Sequence, residues 1–393
     1  MTVEKRPDYL PFGRPDFTDE EISAVTRVLS SGWVGMGPEV LAFEKELAEF
    51  VGAPHVVTVS SCTAALHLTL RDLGIGPDDE VICPSLTWCS SANSALYLGA
   101  KVVFCDVEER TLCASPESIL EQVTPRTKAV VVVHFGGLAI DVKLLRRQLP
   151  PQIQIVEDAA HALGASYPDG TAVGSSGFPT CFSFYANKNL STAEGGAVAT
   201  SDDDLAASLR CLRQHGLSAD AWMRYTDSRK MIYTPVEELG FKANYTDLQA
   251  SIGRVQLRRF SELQSRRLEI SRYYRSRLES ITPQIAFQEG CDSDSHARHL
   301  FPILVPLKQL TISRDELLLQ LRDRNIGATI HYTPLHQMPF YQETLGQQNL
   351  PVTDDLGERI MTLPISSSMT VQDAEYVCDH LIEVLTNAAL PSS

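Results

Sequence analysis

Residues 153–161 read "IQIVEDAAH", and 129–133 before them read "AVVVV". A strand with one wet face alternates apolar and polar residues. Runs that stay apolar suit strands buried on both faces of a mostly parallel sheet. The same texture recurs outward, in "VVTV" (56–59), "EVICP" (80–84), "KVVFCD" (101–106), "CFSF" (181–184) and "GAVAT" (196–200). Helical patterns lie between many of these runs. In "TAALHLTLRDLG" (63–74), Leu66, Leu70 and Leu73 share one face and Gly74 is a stop signal. Strands alternating with helices predict an α/β fold, a sandwich with helices on both sides of the sheet.

After Asn244 the texture changes. Residues 246–281 read as a long helical region, and a smaller α/β unit follows: "HLFPILVP" (299–306) as strand, "SRDELLLQLRDRN" (313–325) as helix and "ATIHY" (328–332) as strand. Ser313 with Glu316 forms the Ser-x-x-Glu box that opens such a helix. With 393 residues, 44% of them hydrophobic, the chain is long enough for one large core and a satellite. The expected division is 1–245 for the large domain with its N-terminal segment, and 246–393 for the connecting helix and small C-terminal domain. There is no internal repeat or low-complexity segment, and the Ser- and Pro-bearing last residues read as frayed.

The net charge of −15 speaks against nucleic acid and anionic membrane as partners, since both select clustered Lys and Arg. Any phosphate ligand must then be held by local geometry. No apolar stretch reaches the roughly 20 residues of a membrane helix, and the polar start "MTVEKRPDYLPFGRPDF" lacks a signal-peptide core, so the expected location is the cytoplasm. The nine cysteines are odd in number and include no Cys-x-x-Cys pair, which reads as reduced, small core residues. "HARH" (296–299) could in principle bind a metal, but it sits in the loop-like "EGCDSDSHARH" and reads as solvated loop; no metal is expected.

Chemistry enters with "FSFYANKNLSTAEGGAVAT" (182–200), which sets Lys188 in a polar, turn-forming stretch between two apolar runs. A lysine amine forms a Schiff base with a carbonyl best where burial or neighbouring charge lowers its pKa. An ordinary surface lysine explains the same letter. Asp158 ends the buried run "IQIVED", where α/β proteins place ligand-facing groups, although a cap on a following helix would also use it. In a pyridoxal phosphate enzyme such a carboxylate keeps the pyridine nitrogen protonated. Ser61, Cys62 and Thr63 lie between strand and helix, where N–H groups and hydroxyls can meet an anion or merely cap the helix. Trp88, in "PSLTWCSS", offers a face for a cofactor ring or a piece of core. Each signal is weak alone; their order along the chain (phosphate turn, aromatic, aspartate, lysine) carries the weight.

Those residues, with "SSGWVGMGPEVLAFEKELAEF", "VEDAAHALGA", "ANYTDLQASIGRVQL" and "HYTPLH", resemble the DegT/DnrJ/EryC1/StrS family of fold-type I pyridoxal-phosphate enzymes over nearly the whole chain. "PSLTW", "EDAAHA" and "TAEGG" are most similar to the branch that aminates UDP-4-keto sugars, such as the UDP-4-amino-4-deoxy-L-arabinose aminotransferases. The resemblance implies that Lys188 carries the cofactor as a Schiff base, Asp158 pairs with the pyridine nitrogen and Trp88 stacks on the ring. It implies that Cys62, Thr63 and Ser183 hold the phosphate, and that His161 approaches the ring hydroxyl. It implies a homodimer with sites at the interface, to which Lys242 and Asn244 in "GFKANYTD" would bring a ligand for the partner's phosphate. Trp33, Tyr185, His331 and His336 are candidates for the sugar nucleotide. The donor implied is L-glutamate, with Lys188 moving the proton. Relatives that dehydrate sugars carry histidine at the lysine position, so the implied reaction is transamination.

Three departures from the family pattern stand out: Cys62 where many members have glycine, "GFKANY" in place of "GYNYR", and His161 where many have glutamine. Two other readings remain: the same chemistry on a keto-cyclitol or other non-nucleotide keto-sugar, and a cofactor-binding protein without turnover. The second should lack the lysine or the aspartate, and both are present.

Overall fold

The computed structural model describes residues 5–219 and 221–391, so the expectation for the last serines lies outside the described residues. All seven apolar runs form strands: β1 (His55–Val59), β2 (Glu80–Pro84), β3 (Lys101–Cys105), β4 (Thr127–Val133), β5 (Gln154–Asp158), β6 (Thr180–Ser183) and β7 (Gly196–Thr200). They join in one sheet in the order β1-β7-β6-β5-β4-β2-β3. Within it β7 runs antiparallel to both neighbours, and the other pairs are parallel. Every residue of β2, β6 and β7 is buried, which is why no alternation marks them.

Before residue 220, the α-helices among the described residues are α1 (Asp19–Ser31), α2 (Pro38–Val51), α3 (Cys62–Asp72), α4 (Ser90–Leu96), α5 (Pro116–Glu121), α6 (Val142–Gln148) and α7 (Asp203–Leu212). The side chains of β4 divide them into two layers. Val130 and Val132 join a core with Phe43 and Leu47 of α2, Ile119 of α5 and Leu145 of α6. Ala129 and Val131 point the other way, into a core with Leu66 and Leu70 of α3, Ala95 of α4 and Leu209 of α7. The αβα sandwich is therefore observed. Gly74 follows α3 with φ +70°, the left-handed conformation that ends a helix.

Two short helices, α8 (Ala221–Thr226) and α9 (Ser228–Ile232), come next. The helical region read over 246–281 is two helices, α10 (Asp247–Arg258) and α11 (Phe260–Leu278). The break at Arg259 lets them serve different layers: α10 rests on α1 and α2, while α11 turns toward the C-terminal part of the chain. Asp247 locks the first contact. Gly37, at the start of α2, has no side chain to cap with, and Asp247 Oδ1 accepts the N–H groups of Gly37 and Val40 at 2.8 and 3.0 Å.

The smaller unit contains β8 (Ala286–Phe287), β9 (Phe301–Leu304), α12 (Arg314–Asp323), α13 (Pro339–Leu345), α14 (Pro351–Arg359), β10 (Ile360–Leu363) and α15 (Val371–Asn387). Its antiparallel sheet runs β10-β9-β8, and α11, α12 and α15 pack over it around Tyr274, Leu317, Leu321, Val377 and Leu381. The Ser313–Glu316 capping box forms as read. "ATIHY" is not a strand. Thr329 makes one bridge, to Thr362, and the chain then leaves the sheet edge and carries His331 and Tyr332 into the cavity beside the larger unit.

Two contacts fasten the units at the carboxyl ends of β2 and β3. Asp106 accepts the N–H groups of Val352 and Thr353 and so caps α14. Ser85 bonds the ring and backbone of His336.

Gly196 opens β7 directly beneath the turn between β1 and α3. A Cβ there would lie 2.5 Å from the Cys62 nitrogen and 2.7 Å from the Ser61 oxygen. Gly196→Ala is therefore expected to push that peptide aside and cost on the order of 1–3 kcal/mol, seen as a lower denaturation midpoint at unchanged m-value.

Candidate active site

Ser61 leaves β1 in an extended conformation (φ −166°) and caps α3, its Oγ accepting the Ala64 N–H at 3.1 Å. Any residue adopts such a backbone, and the helix begins at Cys62. A cysteine is therefore accommodated at this turn without strain, because the close approach is made by Gly196 on the opposite strand. The first N–H groups of α3, at Cys62 and Thr63, have no acceptor within the helix. They face the cavity at the positive end of the helix dipole, a site suited to an anion. Thr63 Oγ1 pairs with Ser90 Oγ at 2.7 Å, and Ser183, nearly buried at the end of β6, completes that corner.

Asp158 lies at the carboxyl end of β5. Its Oδ2 accepts from Ser91 Oγ at 2.7 Å and its Oδ1 from the Ala160 N–H at 3.1 Å. No helix follows it, so its work is confined to a turn and to the cavity. Burial pushes the Cys62 thiol, 3.9 Å from Asp158 Oδ1, well above its ordinary pKa, and the carboxylate adds to the effect. Lys188 comes from the loop between β6 and β7. Burial pulls its amine down from 10.5 to about 8, against the opposing field of Asp158.

Nζ of Lys188 is 3.3 Å from Nε2 of His299. The solvated-loop reading of "HARH" is therefore wrong: His296 and His299 are both buried, because Asn189 and Gln288 draw the segment onto the larger unit. His161 accepts the Gly136 N–H on Nδ1 (3.3 Å), so its Nε2 carries the proton toward the Tyr332 hydroxyl at 3.1 Å. Burial, then Lys188 and His331, hold His161 well below its ordinary pKa. It stays neutral at physiological pH. His331 is likewise pushed down to about 3, by burial and by Lys188.

The cavity, about 460 Å³, brings together Cys62, Thr63, Trp88, Asp158, His161, Ser183, Tyr185, Lys188 and His331. Trp88 and Tyr185 stand at its mouth, 59% and 49% exposed. His336 is not in it: the ring is buried between Ser85 and Asp354, where it joins the two units. Trp33 is also elsewhere, its Nε1 bonded to the Met36 carbonyl and its ring against Trp222 and Tyr225. Lys242 is exposed and Asn244 bonds the neighbouring Tyr245 carbonyl; neither reaches the cavity of its own chain.

Sequence reasoning missed His299, Tyr332, Asn187 and Ser90. Asn187 had a signal, its place beside Lys188; its Oδ1 is buried at the cavity and without a partner among the described residues. Among those residues no group of His, Cys, Asp or Glu is placed to hold a metal ion, and no helix is long and apolar enough to cross a membrane.

The profile of the DegT/DnrJ/EryC1/StrS aminotransferase family matches residues 15–382. The chain belongs to this family. It is 42% identical, over 98% of its length and all of the relative, to the spore coat polysaccharide biosynthesis protein SpsC of Bacillus subtilis. Among solved structures, it is similar to a putative sugar aminotransferase of Streptococcus pneumoniae in its PMP form (29% identity, TM-score 0.87, covering 96% and 99% of the two chains). It is also similar to Helicobacter pylori PseC, an aminotransferase involved in the biosynthesis of pseudoaminic acid (26% identity, TM-score 0.88, 97% and 100%). The chain is thus a pyridoxal-phosphate-dependent aminotransferase of fold type I. The donor set fits the cofactor: open N–H groups at a helix N-terminus for a phosphate, a buried carboxylate, and an amine poised near neutrality.

Below its pKa the Lys188 amine is protonated and cannot attack a carbonyl. Attachment of pyridoxal phosphate to cofactor-free protein, followed by borohydride reduction and mass spectrometry, is therefore expected to rise with pH through about 8 and level off above it. A midpoint near 10.5, the ordinary lysine value, would sink this account.

Proposed function

We propose that this aminotransferase moves an amino group from L-glutamate to the keto carbon, C4, of a nucleotide-diphosphate keto-sugar, yielding an amino sugar. The observation that carries the reading is Lys188, an amine held near neutrality by burial and facing Asp158 over the open end of α3. The names of the relatives, tied to polysaccharide and pseudoaminic acid biosynthesis, favour a sugar acceptor. The stretches "PSLTW", "EDAAHA" and "TAEGG" favour C4.

When bound, pyridoxal phosphate supplies an electron sink and a carrier for the amino group. The residues to hold it are Lys188 by its amine, Cys62 and Thr63 by their N–H groups, Ser183 by its hydroxyl, and Asp158 at the pyridine nitrogen. Trp88 would flank the ring and His161 would serve its hydroxyl. Lys188 Nζ, as the neutral amine, takes the proton from the donor's α-carbon and in the second half returns one to the sugar carbon that gains nitrogen. Asp158 holds its proton-sharing contact throughout, kept in place by Ser91 and Ala160. Tyr185 and His331 face the space left for the sugar.

The working unit in this proposal is a homodimer, in which Lys242 and Asn244 serve the partner's phosphate. A single chain leaves Tyr225, Ile232, Tyr233, Val236 and Leu239, all from one stretch of sequence, exposed to solvent, and such residues are suited to a partner's surface. A cytoplasmic location suits nine cysteines that are all free.

The test loads the purified enzyme, converts it with L-glutamate and follows the cofactor's visible band as ketones are added. Return of the band with a UDP-4-keto sugar and not with a cyclitol ketone is expected; the reverse would establish the non-nucleotide reading. Lys188→Ala should lower turnover by at least about 10³-fold. Measurable wild-type turnover in that variant would overturn the assignment.

A further inference from the structure

We infer that His299 is a positioning residue for Lys188: its Nε2 accepts an N–H of the lysine amine, and Asn189 fixes the imidazole tautomer that makes this possible. The inference rests on Lys188 being the residue that attaches the cofactor.

The orientation of the Asn189 amide is set by the Ala297 carbonyl, to which Nδ2 donates at 2.7 Å. Its Oδ1 then faces His299 Nδ1 at 3.2 Å. A carbonyl oxygen only accepts, so Nδ1 carries the proton and the lone pair of the neutral ring lies on Nε2. That nitrogen is the one 3.3 Å from Lys188 Nζ. Burial first, then Lys188 and His161, hold His299 well below its ordinary pKa, so the ring stays an acceptor at neutral pH. The adjacent His161 ring, 4.6 Å away between centroids, has its tautomer fixed separately by Gly136 and Tyr332 and does not compete.

The charged and titratable groups facing Lys188 are Cys62 and Asp158 at the floor, His161, His299 and His331 at the side, and Arg267 from α11. Asp158 is engaged by Ser91 and Ala160, and His331 Nδ1 by Thr362 Oγ1 at 3.1 Å. Arg267 donates to the carbonyls of Arg298, His299 and Ile365, which anchors the backbone behind the His299 ring. Among the described residues, His299 Nε2 is the acceptor within hydrogen-bond distance of Nζ. A neutral amine has two N–H bonds and one lone pair. Holding one N–H on His299 restricts the directions the lone pair can take, which confines the amine to the attacking geometry.

The experiment measures attachment of pyridoxal phosphate to cofactor-free wild type, His299→Leu, His299→Gln and Asn189→Leu as a function of pH. Thermal melting and circular dichroism confirm the fold of each. In His299→Leu the high-pH plateau rate should fall about 10- to 100-fold and the midpoint should move down, because an acceptor that favours the ammonium form is gone. His299→Gln can accept from lysine through its oxygen and donate to Asn189 through its nitrogen, and should recover most of the plateau. Asn189→Leu frees the tautomer and should lower the plateau with His299 still in place.

An unchanged plateau in a folded His299→Leu chain overturns the proposal. So does a midpoint that moves up toward the ordinary lysine value, since that reports water entering the site, or a folded His299→Gln chain as slow as His299→Leu. If His299→Leu does not fold, the other two variants decide. Attachment needs neither donor nor sugar. A protein that behaves as described here but aminates no nucleotide sugar would overturn the substrate reading and leave this one standing.

Discussion

The N-terminus of α3 lies over the carboxyl ends of β5 and β6, and the rest of the site depends on that placement. Leu66 and Leu70 hold the helix down by sharing a core with Val156, Cys181 and Val198 of the strands beneath. Burying two leucines contributes several kcal/mol, on the order of 1.5–3 kcal/mol each, well above what one cap or surface ion pair supplies. With the helix fixed, its open N–H groups, Asp158 and the Lys188 loop converge. The reversal of β7 completes the arrangement by bringing Gly196, which has no side chain, under the Ser61–Cys62 peptide.

Holding a lysine amine near neutrality opposes folding. A shift from 10.5 to about 8 means that, at neutral pH, the native state binds that proton less well than the unfolded chain does. The difference is roughly 3 kcal/mol, a substantial part of a typical net stability of about 5–15 kcal/mol. Arg267, buried and pulled down to about 10 by burial, makes a second demand of the same kind. The surrounding core has to offset both. The buried carboxylate of Asp158 offsets part of the first demand, because its field raises the lysine pKa again.

Much of this was legible in the sequence. The seven strands were readable because a buried parallel sheet writes itself as unbroken apolar runs, and Asp158, Lys188 and the β1–α3 turn were readable because their chemistry sits at the ends of those runs. What failed has physical reasons. "ATIHY" has strand-forming letters, yet pairs only at Thr329, since His331 and Tyr332 are needed inside the cavity. The break at Arg259 carries no Gly or Pro to announce it. "HARH" looks solvated by composition, and its burial is imposed by Asn189 and Arg267, far away in the chain, together with the nearer Gln288. His336, a candidate for the sugar nucleotide from "HYTPLH", shares that motif with the cavity residues His331 and Tyr332, yet two residues past Pro334 the chain has already turned back to Ser85.

The caps that Asp106 and Ser85 place on the smaller unit have a further consequence. The floor of the cavity comes from residues before 200, whereas Tyr332, His331 and His299 come from the C-terminal part of the chain. The two parts meet through polar fastenings at the ends of β2 and β3 and through a shared apolar core, in which Leu86, Val107 and Phe135 pack with Leu300, Leu304 and Leu356, while the two sides of the cavity lining come from separate stretches of chain. This makes the protein modular in the hereditary sense. Substitutions in the C-terminal lining can reshape what the cavity admits while the inherited cofactor seat stays intact, so new acceptors become reachable without re-inventing the chemistry.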